Sequence, residues 1–173
     1  MSALLRDVAE LYEPVAEERG IELKAEAEVP IFIRADRQLL GQAIANLIDN
    51  AIKYGTAEAA ERGSGVKPEV EVSAKAKGSI AEIMVTDRGP GVPVSDRERV
   101  LDRFVRLEAS RSEPGSGLGL SLVAAVARLH GGSLRLEDNE PGLRVILALP
   151  MDGEALVNGA PHQASLGAEI RPA

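Results

Sequence analysis

Leu4, Leu5, Val8, Leu11, Tyr12 and Val15 recur at helical spacing with acidic residues between them, and Gly20 supplies a stop. This pattern predicts an amphipathic helix from Leu4 to Arg19. The next pieces, "IELKAEAEV" and "IFIRA", alternate or run apolar on either side of Pro30, which predicts two short strands and a turn. Asp36 stands where a cap is needed for a long helix from Arg37 to about Tyr54. Its apolar stripe is Leu39, Leu40, Ala43, Ile44, Leu47, Ile48, Ala51 and Ile52.

A polar loop, "GTAEAAERGSGVKP", separates that helix from "EVEVSAKAK" and "IAEIMVTD", which read as an antiparallel pair turned at Gly78 and Ser79. The long piece "RGPGVPVSDRERVLDRFVRLEASRSEPGSG" has little apolar periodicity and holds one short helix, with Ser95 and Glu98 as its capping box. A segment of this length and irregularity inside a compact domain is usually functional or mobile. An alanine-rich helix follows in "GSGLGLSLVAAVARLHGG", then "SLRLED" and "LRVILALP" as a last strand pair joined through "NEPG". Antiparallel pairs separated by helices fit an α+β, two-layer sandwich, with three main helices on one face of a mixed, mainly antiparallel sheet. We expect one domain over residues 1–150. Residues 151–173, rich in Gly, Ala and Pro, are expected to form a disordered tail.

Composition narrows the chemistry. The net charge of −7 argues against nucleic acid as the main partner, since phosphate neutralisation needs a basic face. Without cysteine there are no disulfides, thiolate zinc sites or thiol nucleophiles. The weakly polar run from Gly117 to Ala127 is too short to span a bilayer, so no direct membrane contact is expected of this chain. The charged amphipathic start shows no signal peptide.

Three groups of residues carry candidate chemistry. The glycines before the last helix fit neither the dinucleotide fingerprint nor the Walker loop, because the third is Gly119 and no Lys follows it. They serve either close helix packing or a helix start offering free N–H groups to an anion. Asn46 and Asn50 lie one turn apart on the long helix, off its apolar stripe, with Lys53 and Tyr54 continuing along that flank. An Asn carbonyl oxygen is a hard ligand suited to magnesium, while two solvent-facing Asn are the plainer reading. Asp87 ends a strand beside Gly89 and Gly91, where it either caps a turn or accepts from an exocyclic amine such as that of adenine. In the irregular segment, Arg103, Arg106 and Arg111 are either cations that a closing lid can bring to a polyphosphate, with Phe104 as an apolar anchor, or a solvated charge run beside a core Phe, the plainer reading for any single Arg.

Together and in this order, the motifs resemble the ATP-binding catalytic domain of sensor histidine kinases, within the superfamily that includes the Hsp90 chaperones, the type II topoisomerase ATPases and MutL. "NLIDNAIKYG" resembles the N box, "DRGPGVP" the first glycine box, "RFVRLEASRS" the F box and "GSGLGLSLV" the second glycine box. The resemblance implies a Bergerat-type fold with an ATP lid over residues 92–116, and ATP and Mg2+ as cofactors. It implies Asn50 as the magnesium ligand, with Asn46 near the phosphates, and Lys53 and Tyr54 as nucleotide contacts. Asp87 becomes the adenine reader, with Gly89 and Gly91 as its glycines. Gly115, Gly117, Leu118 and Gly119 form the hinge and helix start beside the phosphates, Phe104 is the F-box aromatic, and Arg106 lies on the γ-phosphate side. Asn50, Lys53 and Arg106 are thereby the catalytic set.

The family's acceptor is a His on a separate helical hairpin. Here His130 sits in a helix-end turn that reads as structural, and His162 lies in the tail. The implied partners are therefore a dimerisation and phosphoacceptor domain of a parent kinase and a downstream response regulator. The implied setting is cytoplasmic, in a parent that is itself membrane-anchored or not, and this piece alone is expected to be a monomer. A conformational ATPase of the same superfamily needs a catalytic Glu on the N-box helix, but Gln42 and Ala43 stand one turn before Asn46 and no Glu occurs from Asp36 to Tyr54. A serine kinase of the anti-sigma type, which shares the fold, differs in making an acid-stable phosphate. A nucleotide-free binding module is the remaining alternative.

Overall fold

The computed structural model describes residues 1–27, 30–55, 68–107 and 117–151. Helix α1 (Ser2–Glu18) leads into strand β1 (Glu22–Ala27), and helix α2 (Arg37–Tyr54) into the hairpin of β2 (Glu69–Lys77) and β3 (Ile80–Thr86). Helix α3 (Gly119–Leu129) precedes a second hairpin, β4 (Ser133–Asp138) and β5 (Leu143–Pro150). The five strands form one sheet in the order β1-β2-β3-β5-β4. β1 runs parallel to β2 (Glu22 opposite Glu69), and the other three pairings are antiparallel.

The sandwich expected from the sequence is present. α2 packs between α1 and α3 and against β2 and β3. Its buried stripe of Leu40, Ala43, Ile44, Leu47, Ile48, Ala51 and Ile52 meets Val70, Val72, Ala81, Ile83, Val85, Leu147 and Leu149 from alternate strand positions. With no aromatic side chain in this core, its cohesion comes from many small aliphatic contacts. Met151 is buried too, and its N–H donates to the carbonyl of Ser79 at 2.7 Å, so the folded body reaches one residue past β5. Residues 152–173, with His162, lie outside the described residues.

Two expectations need correction. "IFIRA" is not a strand: the N-terminal ammonium donates to the Ile31 carbonyl at 2.7 Å, and the Ile31 N–H donates to Ser2 Oγ at 3.0 Å. The start of α1 thus takes the backbone groups a ladder would have used, and the alternation reflects Ile31 buried beside an exposed Phe32. The short helix with a Ser95–Glu98 capping box is instead two single 3-10 turns, Val94–Asp96 and Arg99–Leu101, with no side-chain cap. Arg97 holds this region, its Nε donating to the Val92 carbonyl at 3.1 Å and its guanidinium pairing with Asp138.

Candidate nucleotide site

The start of α2 is fixed locally. The Asp36 carboxylate accepts from the N–H groups of Gln38 (2.8 Å) and Leu39 (2.9 Å), while the Asp36 N–H donates to His130 Nε2 at 3.0 Å. His130 Nδ1 in turn lies 2.8 Å from the Val126 carbonyl, so the neutral ring, carrying its proton on Nδ1, joins the end of α3 to the start of α2. The sequence reading of His130 as structural agrees with this.

With the two helices so joined, the Asn flank of α2 faces the first residue of α3. A Cβ on Gly119 would lie 3.2 Å from Asn50 Nδ2 and 3.3 Å from Asn46 Oδ1. Only a residue without a side chain leaves a notch there. Asn46 Nδ2 donates back to the Gln42 carbonyl at 2.8 Å, which directs its Oδ1 toward Gly119. The half-buried Asn50 amide makes no hydrogen bond among the described residues. α3 starts without a side-chain cap, so its first N–H groups and positive dipole end border the same notch.

At the other end of α2, Gly55 and Gly89 let the first glycine box seat directly on the helix. A Cβ on Gly89 would fall 2.2 Å from the Tyr54 carbonyl oxygen, and one on Gly55 would fall 3.2 Å from Asp87 Cβ. Asp87 follows β3 and is 7 % exposed. Its Oδ1 accepts from the N–H groups of Gly89 (2.8 Å) and Leu143 (3.2 Å), leaving Oδ2 outside both bonds. Burial raises its pKa above the ordinary aspartate value, against the lowering effect of those two N–H groups. A buried carboxylate with one committed oxygen and one open one is a directional acceptor. Gly91, at φ +72°, lies against the Gly142 carbonyl.

The remaining positions fall less simply. Lys53 Nζ is engaged by Asp49 at 2.5 Å, beside Tyr12 of α1, whose phenol pKa is raised by burial and by Asp49 and lowered by Lys53. Its ammonium is therefore held by a residue that the sequence reading passed over. The i, i+4 spacing of Asp and Lys was the available signal. Phe104 does not anchor the lid to the body: it is 74 % exposed, on backbone at φ +64°. The anchoring is by backbone, the Phe104 N–H donating to the Gly117 carbonyl at 3.0 Å. Gly117 is at φ +69°, and a Cβ there would touch the Phe104 and Val105 backbones at 3.0 Å. Leu118, at the helix start, and Arg103 are exposed, and Arg106 is half-buried. Gly115, Arg111 and the second half of the lid lie outside the described residues, as does the loop after α2. No group of three or more His, Cys, Asp or Glu suited to a metal occurs among the described residues.

The family profile described as "Histidine kinase-, DNA gyrase B-, and HSP90-like ATPase" matches residues 35–153, which contain every element of this site. The chain belongs to this family. Within it, the chain is 42 % identical over 116 residues to the signal transduction histidine-protein kinase/phosphatase MprB of Mycolicibacterium vanbaalenii, covering 67 % of this chain and 22 % of MprB. It is 36 % identical over 153 residues to the sensor-like histidine kinase SenX3 of Mycobacterium bovis, covering 87 % of this chain and 35 % of SenX3. Full-length ShkA, solved in complex with AMPPNP, superposes with a TM-score of 0.72 at 31 % identity, covering 86 % of this chain and 29 % of ShkA. The chain thus corresponds to the ATP-binding catalytic domain of histidine kinases and spans about a fifth to a third of the length of the relatives it matches. No helix among the described residues is long and apolar enough to cross a membrane.

Proposed function

We propose that this domain binds Mg-ATP between α2, α3 and the first glycine box and delivers the γ-phosphate to a His on a separate helical hairpin domain. The observation that carries the reading is the notch at Gly119. Two amides of α2 and the start of α3, which has no side-chain cap among the described residues, converge there, one turn from a helix end that is seated on a buried Asp. Asp87 Oδ2 accepts from the adenine amine, and the tight seat of Gly89 on Tyr54 brings backbone close to the base. The triphosphate lies toward Gly119, where the N–H groups of α3 receive it.

The donor set fits magnesium: a single neutral amide, Asn50, is what a cation needs when phosphates and waters supply its other ligands. Bound there, the ion neutralises charge on the phosphate oxygens. Lys53, once released from Asp49, and Arg106 add positive charge around the transferring group, while Gly115, Gly117 and Leu118 set the hinge. The chain's own residues thus position and neutralise, and the nucleophile comes from elsewhere. His130 is unsuited to that role because both its ring nitrogens are engaged.

The partners in this reading are the phosphoacceptor domain of the parent kinase, then a response regulator. The domain by itself is a monomer, in the cytoplasm, whether or not the parent is membrane-anchored. The deciding experiment is thermal unfolding with a saturating non-hydrolysable ATP analogue, with and without magnesium, on the wild type and Asp87→Asn. A ligand at a hundredfold its Kd adds about 2.7 kcal/mol. The midpoint should rise with analogue, rise further with magnesium, and barely move in the variant. No shift in the wild type would instead favour a nucleotide-free binding module. Adding a purified His-hairpin partner should yield acid-labile phosphate on it, and an acid-stable product would point to a serine kinase.

A further inference from the structure

The turn between β4 and β5 holds Asp87 from two sides. The Asp87 N–H donates to the Leu143 carbonyl at 2.9 Å, and the Leu143 N–H donates to Asp87 Oδ1 at 3.2 Å. The Asp87 carbonyl accepts from Asn139 Nδ2 at 2.7 Å, across 52 residues of chain. That carbonyl is pressed against the turn, since a Cβ on Gly142 would fall 1.9 Å from its oxygen. Asn139 is itself oriented: its N–H closes the turn on the Gly142 carbonyl at 3.2 Å, and its Oδ1 accepts from Arg144 at 3.3 Å.

These bonds fix the peptide planes on both sides of Asp87. The plane after Asp87 is joined through Arg88 to the next plane, which carries the Gly89 N–H, one of the two donors holding Oδ1. Freeing the Asp87 carbonyl therefore loosens the carboxylate through the chain as well as leaving a buried acceptor without its donor. We propose that Asn139 is a positioning residue for base recognition: it aims Asp87 Oδ2 at the exocyclic amine of adenine, and the β4–β5 turn is a specificity element of the nucleotide site. The inference rests on the adenine reading given above. Asp138, the last residue of β4 before the turn, pairs with Arg97, so this end of the hairpin also braces the stretch that starts the lid.

The test compares two Mg-nucleotides by calorimetric titration: ATP and the triphosphate of purine riboside, which lacks the 6-amino group. Wild type should prefer ATP. Asn139→Ala should lose ATP affinity by roughly tenfold, the size of one charge-assisted hydrogen bond, and keep its affinity for the amine-free nucleotide. Asn139→Asp keeps the volume and the acceptor for Arg144 but removes the donor, so it should behave alike even if the alanine variant folds poorly. Equal losses for both nucleotides, or a lowered melting midpoint with an unchanged affinity ratio, would reduce Asn139 to a structural residue and overturn the inference. A wild type that does not distinguish the two nucleotides would overturn the adenine reading itself, and the inference with it.

Discussion

Gly119→Ala separates stability from binding at a single carbon. Gly119 opens α3 with no positive φ, so alanine fits its backbone, and the unfolded chain loses entropy by about 0.4–1 kcal/mol in favour of the fold. Against this stand three contacts of the new methyl group, at 3.2, 3.3 and 3.5 Å from the amides of Asn50 and Asn46. Asn46 is tied to the Gln42 carbonyl, whereas the Asn50 amide has no bond to lose among the described residues, so Asn50 turns aside. The melting midpoint should stay level or rise by about 2–4 °C, the equivalent of 1 kcal/mol for a domain of this size. The displaced Asn50 amide gives up its ligand interaction, worth about 1–3 kcal/mol, so Mg-nucleotide affinity should fall roughly 5- to 150-fold. Scanning calorimetry and titration with a non-hydrolysable analogue read the two quantities independently. Unchanged affinity would place the phosphates away from the notch, and a midpoint several degrees lower would mean that the amides cannot yield.

Asp87→Asn should be more stable than wild type at neutral pH. Burial holds the native pKa above the unfolded one, so wild-type stability falls as pH rises from the ordinary aspartate range through the native pKa, and the variant's advantage should vanish in acid melts below that range. Nucleotide affinity of the wild type should weaken as pH falls through the native Asp87 pKa, above the range of an ordinary aspartate; a profile that is the same in Asp87→Asn would assign the titration elsewhere. Asp49→Asn releases Lys53, whose side chain is 23 % exposed, and should raise ATP affinity by at most about fivefold, the worth of such a pair; the gain should disappear in a Lys53→Ala background, and its persistence there would refute the competition. Gly142→Ala, at φ +118° with a 1.9 Å clash, should lower stability by more than ~2 kcal/mol, whereas Gly78→Ala, at φ +60° in open space, should cost only about 1–2 kcal/mol in denaturant titrations.

The sequence by itself determined what is local. α2 begins just after Asp36 and ends at Tyr54 because a cap and a 3.6-residue stripe are written in adjacent residues, and both hairpins follow from alternation and turn residues. The Asn pair, Asp87 and the glycines were legible for the same reason: residue types ill-suited to a plain helix or strand stand out against their neighbours. What the sequence left open depended on partners far along the chain. Residues 31–35 alternate like a strand, but the start of α1 had already satisfied Ile31. β1 pairs in parallel with β2 across a whole helix, a choice made by packing rather than by any turn. Lys53 and Asn50 share a flank of α2, yet Asp49, beside Tyr12 of α1, holds the lysine while Gly119 of α3 borders the amide. Bonds spanning 94 residues, from Asp36 to His130, and 52 residues, from Asp87 to Asn139, bring the ends of the site into register. Hydrogen-bond partners of that separation leave no periodic trace in a sequence, and only the folded sheet and its helices decide them.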